Sequence, residues 1–279
     1  MKFKSSFFPS IVLFTVSLAI CMIMRIWLVF RATDQVTGFY SGGETIVAVF
    51  NAMLLITFVL TFAFYLFRNT SLDYPVFAPG RALALLALLS GVTIILYQLE
   101  GLEILTDGGY NPGVLLNTLP VIGVSFFGLI AAFAFIMLGI RGLLAYRGMF
   151  GRVLPLVSGV WMLLNLVAKF NSYTTLTTIS DNLLTVLFML FCMMFLVGHA
   201  RTLSGLGRKD GRNYAIPTGF CTAFCGFLLV IPNWLWSNRN DTSIFSARLL
   251  GYYESIFIFW MSVYAISFVI SLTRSIKSV

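Results

Sequence analysis

Four ionisable side chains stand where ionisable side chains are expensive. Arg25, Glu100, Lys169 and Glu254 each interrupt a long apolar run, about three to five residues inside one end of it. Charges inside such runs are rare and mark substrate or ion pathways, proton relays or paired structural charges. At roughly 1.5 Å of helical rise per residue, all four fall about 5–8 Å below the same surface. Two cations and two carboxylates at one depth can neutralise one another. Tyr97 and Glu103 share the face of Glu100 by their i,i+3 spacing, and Asn165 precedes Lys169 by one turn. Asn51 can contribute at greater depth. One reading makes Arg25, Glu100, Lys169, Glu254, Tyr97, Glu103 and Asn165 the lining of an outward-facing polar cavity. Such a cavity would bind a small polar or zwitterionic solute, or relay an ion. The other reading is a structural salt-bridge network, with Arg25 and Lys169 snorkelling towards the interface.

The elements that must hold these residues follow from composition. The 279 residues are 59% hydrophobic and only 10% charged, with a mean hydropathy of +0.95. Soluble chains carry about 25% charged residues, so a soluble enzyme, a disordered chain and a nucleic-acid binder are excluded, as is an attached ATPase or kinase module. Eight apolar runs of spanning length cover about 7–30, 44–67, 82–105, 119–140, 153–172, 181–200, 217–236 and 249–273. A membrane helix needs about 20 such residues. Barrel strands would alternate apolar and polar residues; these runs are continuously apolar, so the expected fold is all-α, a single transmembrane bundle of eight helices over 1–279. The first run follows Lys2 and Lys4, like a signal peptide, but it is too long and lacks a small-residue cleavage site. Leu18-Ala19-Ile20-Cys21 has Ile20 where a lipoprotein box needs a small residue, so the run reads as a retained helix.

Connections are short and carry turn residues: Ser41-Gly42-Gly43, Pro79-Gly80, Asp107-Gly108-Gly109 and Asn111-Pro112-Gly113. Ser41-x-x-Glu44 and Thr178-x-x-Asp181 are capping-box patterns opening the second and sixth helices. Thirteen Lys and Arg residues fall on the side of the N-terminus and three on the other, with Arg25 and Lys169 inside helices. By the positive-inside rule both termini are cytoplasmic, in a multi-pass protein of a cell membrane of the bacterial cytoplasmic type. Trp27, Trp234 and Trp236 fall near outer helix ends, where indoles prefer to sit, and Trp161 and Trp260 lie deeper as packing residues. The net charge of +8 is spread over helix ends, which suits anionic lipid headgroups at the cytoplasmic face and not nucleic acid.

Other chemistry finds little support. The stretch 201–212 is basic and glycine-rich, yet it lacks the P-loop spacing and reads as a headgroup-binding loop. His199 with Cys221 and Cys225 could supply three metal ligands, but no fourth is evident, and Cys21, Cys192, Cys221 and Cys225 all suit apolar packing. One histidine precludes H-E-x-x-H, Ser90-Gly91 and Ser158-Gly159 make no nucleophile elbow, and Lys169 has no aromatic setting for a retinal Schiff base. No enzyme activity, cofactor or metal is expected. Asn240-Asp241-Thr242 matches a glycosylation sequon on the outer side.

Small-residue patterns, Gly123 and Gly128 with Ala131 and Ala132, and Gly219 and Ala223 with Gly226, suit close helix packing within one chain, in a homo-oligomer or with a protein partner. A parallel 4+4 repeat, 1–140 and 141–279, would match Pro9 and Arg25 with Pro155 and Lys169, and Glu44 with Asp181; coincidence among generic apolar runs explains the same matches. Arg25 followed by Asp34-Gln-Val-Thr37-Gly38-Phe39-Tyr40 resembles a group of uncharacterised multi-pass membrane proteins of clostridial-type bacteria. The likeness covers some 16 residues and the span pattern, and implies no activity. Physically, Asp34, Thr37 and Gly38 suit a re-entry turn, with a ligand loop as the other reading. The expected function is a small-solute or ion transporter; the alternative is a non-transporting sensor, scaffold or accessory subunit.

The topology is directly testable. Single cysteines at Ser41 and Gly109, in a background without the native cysteines, should react with an impermeant thiol reagent in intact cells, and one at Ser204 should not. Labelling at 204 without labelling at 41 would invert the orientation.

Overall fold

A computed structural model of the chain describes residues 8–32, 40, 42–66, 80–107, 115–144, 153–172, 180–205, 208–239 and 251–275. The helices are α1 (Phe8–Trp27, continued by a wider π turn, Leu28–Ala32), α2 (Glu44–Leu66), α3 (Arg81–Asp107), α4 (Leu115–Leu143), α5 (Leu154–Ser172), α6 (Ser180–Ser204), α7 (Arg208–Arg239) and α8 (Tyr252–Ser275). All eight are long and apolar enough to cross a membrane. The chain is a multi-pass membrane protein, an all-α bundle of eight helices embedded in a lipid bilayer.

Six helices form a closed ring. Each of α3 to α8 packs on its successor, and α8 returns to pack on α3. The α1–α2 hairpin lies outside the ring against α7. Burial follows this order: 83% of the α7 span is buried, against 22% of the α1 span and 28% of the α2 span. The 1–140 and 141–279 halves therefore occupy unequal places, with α1–α2 peripheral and α5–α6 in the ring.

The ring axis is filled by aromatic side chains. Tyr97, Trp161, Phe188 and Phe257 meet towards the end where α8 begins, with ring centroids 5.3–6.5 Å apart. Phe135, Phe195, His199, Tyr264 and Phe268 meet towards the other end.

Lipid removes the hydrophobic drive between helices, leaving close packing and interhelical hydrogen bonds to hold them, so small residues are placed where backbones approach. A Cβ on Gly198 of α6 would stand 2.8 Å from the backbone nitrogen of Ala215 on α7, and one on Gly211 of α7 3.0 Å from that of Thr202 on α6. Gly219 faces Val269 and Phe195, and Gly226 faces Ser262 and Phe188. On the opposite side Gly91 of α3 rests on Ala132 and Ile136 of α4, and Gly128 rests on Gln98. These glycines thus serve packing within the chain, whereas Gly123 has no atom within 4 Å of a Cβ position.

The stretch 201–212 differs from the expected loop. α6 continues to Ser204, Gly205 takes a left-handed φ of 72° that ends it, and α7 resumes at Arg208. Pro217 therefore lies inside α7, as does Pro232, instead of opening the helix. The carbonyls that these prolines release, four residues earlier, are those of Asn213 and Leu228; Thr218 Oγ1 and Asn233 Nδ2 donate to the carbonyls next to them, of Tyr214 at 2.5 Å and Leu229 at 2.9 Å. At α2, the amide of Val47 donates to the Gly43 carbonyl at 2.9 Å, so Gly43 stands at the N-cap and Glu44 in the first turn, two residues on from the Ser41 cap that the sequence suggests. Ser41 and Thr178 lie outside the described residues, as do 240–250 with the sequon.

Gly198→Val should force backbone apart at the α6–α7 contact and cost about 1–3 kcal/mol, the usual range for overpacking. Gly123→Ala, in open space, should change stability by no more than about 0.5 kcal/mol. Thermal unfolding in detergent compares the two.

Candidate functional site

The four intramembrane charges separate into two places. Arg25 of α1 is fully buried and forms an ion pair with Asp181, in the first turn of α6. Its Nη1 also donates to the Tyr40 hydroxyl at 3.4 Å, while its Nε is buried without a hydrogen-bond partner. Tyr40 is the last residue of the 34–40 motif; residues 34–39 lie outside those described. This pair fastens the peripheral α1 to the ring.

The second place lies across the ring. Lys169 Nζ, three residues from the end of α5, donates to Glu254 Oε2 at 2.8 Å. Exposure is asymmetric: 25% for the lysine side chain and 4% for the carboxylate. The amide of Ser255 donates to the Gly251 carbonyl at 3.0 Å, which makes Gly251 the N-cap of α8 and places Glu254 in its first turn. The partial positive charge of a helix N-terminus favours a carboxylate there. Glu254 Oε1 is buried with no hydrogen-bond partner. The carboxylate of Glu100 on α3 rests against Gly251, where a Cβ would lie 2.7 Å from its Oε2. Glu100 is half-buried. Gly251 therefore makes room for a second carboxylate one helical turn from Glu254.

Beneath the charges lies a polar bond and then an aromatic floor. Tyr97, one turn before Glu100, donates its hydroxyl to Asn165 Oδ1 at 3.1 Å. Asn165 Nδ2 donates at 3.1 Å to the Trp161 carbonyl one turn below, which fixes the amide orientation. Tyr97 stacks on Phe257 at 5.3 Å and 15°, and Trp161 stands edge-on to both rings.

Of the residues proposed from sequence, Glu100, Lys169, Glu254, Tyr97 and Asn165 come together across α3, α5 and α8. Arg25 is held apart by Asp181, and the side chain of Glu103 lies outside those described. Asn51 faces outward on α2 and joins neither group. Asp181 is the partner that the sequence pattern does not single out: its spacing from Thr178 suits a capping box, while a carboxylate opening a span at the level of Arg25 is also the signal of an ion-pair partner. Trp161 is fully buried and Trp260 half-buried; Trp27 is exposed, but Trp236 is buried. Among the described residues no His, Cys, Asp and Glu group is placed to hold a metal ion, and His199 bonds to Tyr264 instead.

The chemistry on offer is partner exchange. A solute carboxylate can take Lys169 Nζ, and a solute cation can take the carboxylate of Glu254 so released, which exchanges the one ion pair within the protein for two with the solute. Compared with protein-family models, curated proteins and solved structures, the chain matches none.

The partition into two pairs is open to a double-mutant cycle. Arg25→Ala should cost about 3–5 kcal/mol, because it leaves Asp181 buried and unpaired, and Asp181→Asn in the same chain should recover part of that loss. Lys169→Ala should cost less, since water reaches the lysine, with partial recovery from Glu254→Gln. Arg25→Ala and Glu254→Gln share no partner and should add within about 0.5 kcal/mol.

Proposed function

We propose that the protein is a secondary carrier for a small polar or zwitterionic solute, or an ion, which binds at the mouth of the α3–α8 ring between Lys169 and Glu254. The observation that carries this reading is Glu254: a carboxylate 4% exposed, one oxygen on Lys169 and the other without a hydrogen-bond partner, above an aromatic floor. A purely structural pair would be expected to satisfy both oxygens, because an unmet buried acceptor costs stability. Glu100 at Gly251 adds a second negative group for a cationic end of the solute, and Tyr97 and Asn165 offer orienting hydrogen bonds. The role is binding and passage, not catalysis.

In this reading the site faces outward from a bacterial cytoplasmic membrane, with both termini in the cytoplasm. The excess of Lys and Arg on the side of the termini supports that orientation and contact with anionic headgroups. The likeness of the 34–40 region to multi-pass proteins of clostridial-type bacteria supports the setting. In this reading transport draws on a gradient or on a larger assembly. A second reading, an accessory or scaffold subunit, is favoured by Asn51, a polar side chain on the exposed face of the apolar α2, where a partner helix would satisfy it.

Purified protein in liposomes should show solute- or ion-dependent flux in a panel of amino acids, betaines, amines and monovalent ions. Flux should be lost in Glu254→Gln with the fold retained. Absence of flux across the panel, with a stoichiometric membrane partner recovered by crosslinking, would favour the accessory reading.

A further inference from the structure

The end of the ring opposite Lys169 and Glu254 holds a second polar arrangement, built around the only histidine of the chain. His199 on α6 is 3% exposed, and its Nε2 hydrogen-bonds the hydroxyl of the fully buried Tyr264 on α8 at 2.6 Å. Its other ring nitrogen, Nδ1, is buried with no hydrogen-bond partner. A small cavity beside His199 is lined by Ala134, Phe135, Leu138, Pro155, Ser158 and Leu203, from α4, α5 and α6. Its polar side chains are His199 and Ser158. The Ser158 hydroxyl donates to the Pro155 carbonyl at 2.6 Å, which leaves its oxygen able to accept.

Size and chemistry select the ligand. With a volume of about 10 Å³, the cavity stands at the lower end of the roughly 10–15 Å³ that one water needs, and a water needs two to four polar partners. A neutral imidazole presents one donor and one acceptor, and which nitrogen carries the proton depends on its partner. Water can donate or accept, so it suits Nδ1 in either tautomer, and an apolar wall disfavours an ion. An orphaned buried polar atom beside a space of this size calls for such a ligand.

We propose that this cavity is a binding site for one water molecule, which bridges Ser158 and His199 and completes a hydrogen-bonded chain from α5 through α6 to α8. Ser158 lies 11 residues before Lys169, and Tyr264 lies 10 residues after Glu254. At about 1.5 Å per residue, each separation is roughly 15–17 Å. The same two helices, which are not neighbours in the ring, are thus tied twice, by an ion pair at one end and by a hydrated chain at the other. The site stands whether or not the protein transports a solute.

Protein labelled with ¹⁵N-histidine and reconstituted in bilayers gives one pair of ring-nitrogen signals, both from His199. Magnetisation from water protons should reach Nδ1 in the wild type. Ser158→Ala should weaken that transfer, and Ala134→Leu, which fills the cavity, should abolish it while the Nε2 signal held by Tyr264 persists. No transfer to Nδ1 in the wild type would overturn the proposal, as would transfer undiminished by Ser158→Ala. If Ala134→Leu fails to fold, the wild-type and Ser158→Ala spectra decide by themselves.

Discussion

An ionised side chain inside a bilayer has no water to turn to, and the whole bundle is arranged around that constraint. Removing the partner of a buried ion strands a charge at a cost of several kcal/mol, so each intramembrane charge must find a partner or a wet surface. Arg25 finds Asp181, and in doing so joins the loosely packed α1–α2 hairpin to the ring. Lys169 finds Glu254 by reaching from α5 to α8, two helices that do not follow one another around the ring. The ion pairs therefore add a polar tie between helices at that end, above the contact that Trp161 of α5 makes with Phe257 of α8.

The same constraint acts on the neutral polar groups. Thr57, Thr61, Thr185, Thr202, Thr218, Thr222 and Ser262 each donate their hydroxyl to the carbonyl four residues earlier. Those hydroxyls are satisfied within their own helix and place no demand on a neighbour. Tyr97, Asn165, His199 and Tyr264 instead bond between helices. With Glu254 and Arg25 they are among the polar connections across the ring and to α1, threaded between two groups of aromatic rings.

Packing density explains the rest of the architecture. Lipid competes well for large apolar side chains, so α1 and α2 can turn Val16, Ile23, Leu55 and Val59 outward without penalty. α7 can be central because Gly211, Ala215, Gly219, Ala223 and Gly226 let neighbouring helices come close on successive turns. A helix without those small positions would be held at a greater distance and would leave the axis loosely filled. The bilayer thus rewards fit more than hydrophobicity.

Sequence alone determined that the protein is an eight-helix membrane bundle and which residues could not be ordinary lipid-facing ones. Hydrocarbon thickness and the need to satisfy every backbone group leave a continuous apolar run of about 20 residues few other forms. The common depth of Arg25, Glu100, Lys169 and Glu254 followed from rise per residue, and the local pairings of Tyr97 with Glu100 and Asn165 with Lys169 followed from helical period. Partner choice did not follow, because depth along a helix says nothing about rotation around it or about which helix stands opposite. Only the tertiary structure gave Arg25 to Asp181, turned Asn51 outward, and set Glu100 beside Gly251. It also extended α6 to Ser204 and began α7 at Arg208, within the stretch expected as a basic loop, because the approach of Gly198 to Ala215 and of Gly211 to Thr202 holds α6 and α7 together near those ends. Those are contacts between segments, and no local pattern encodes them.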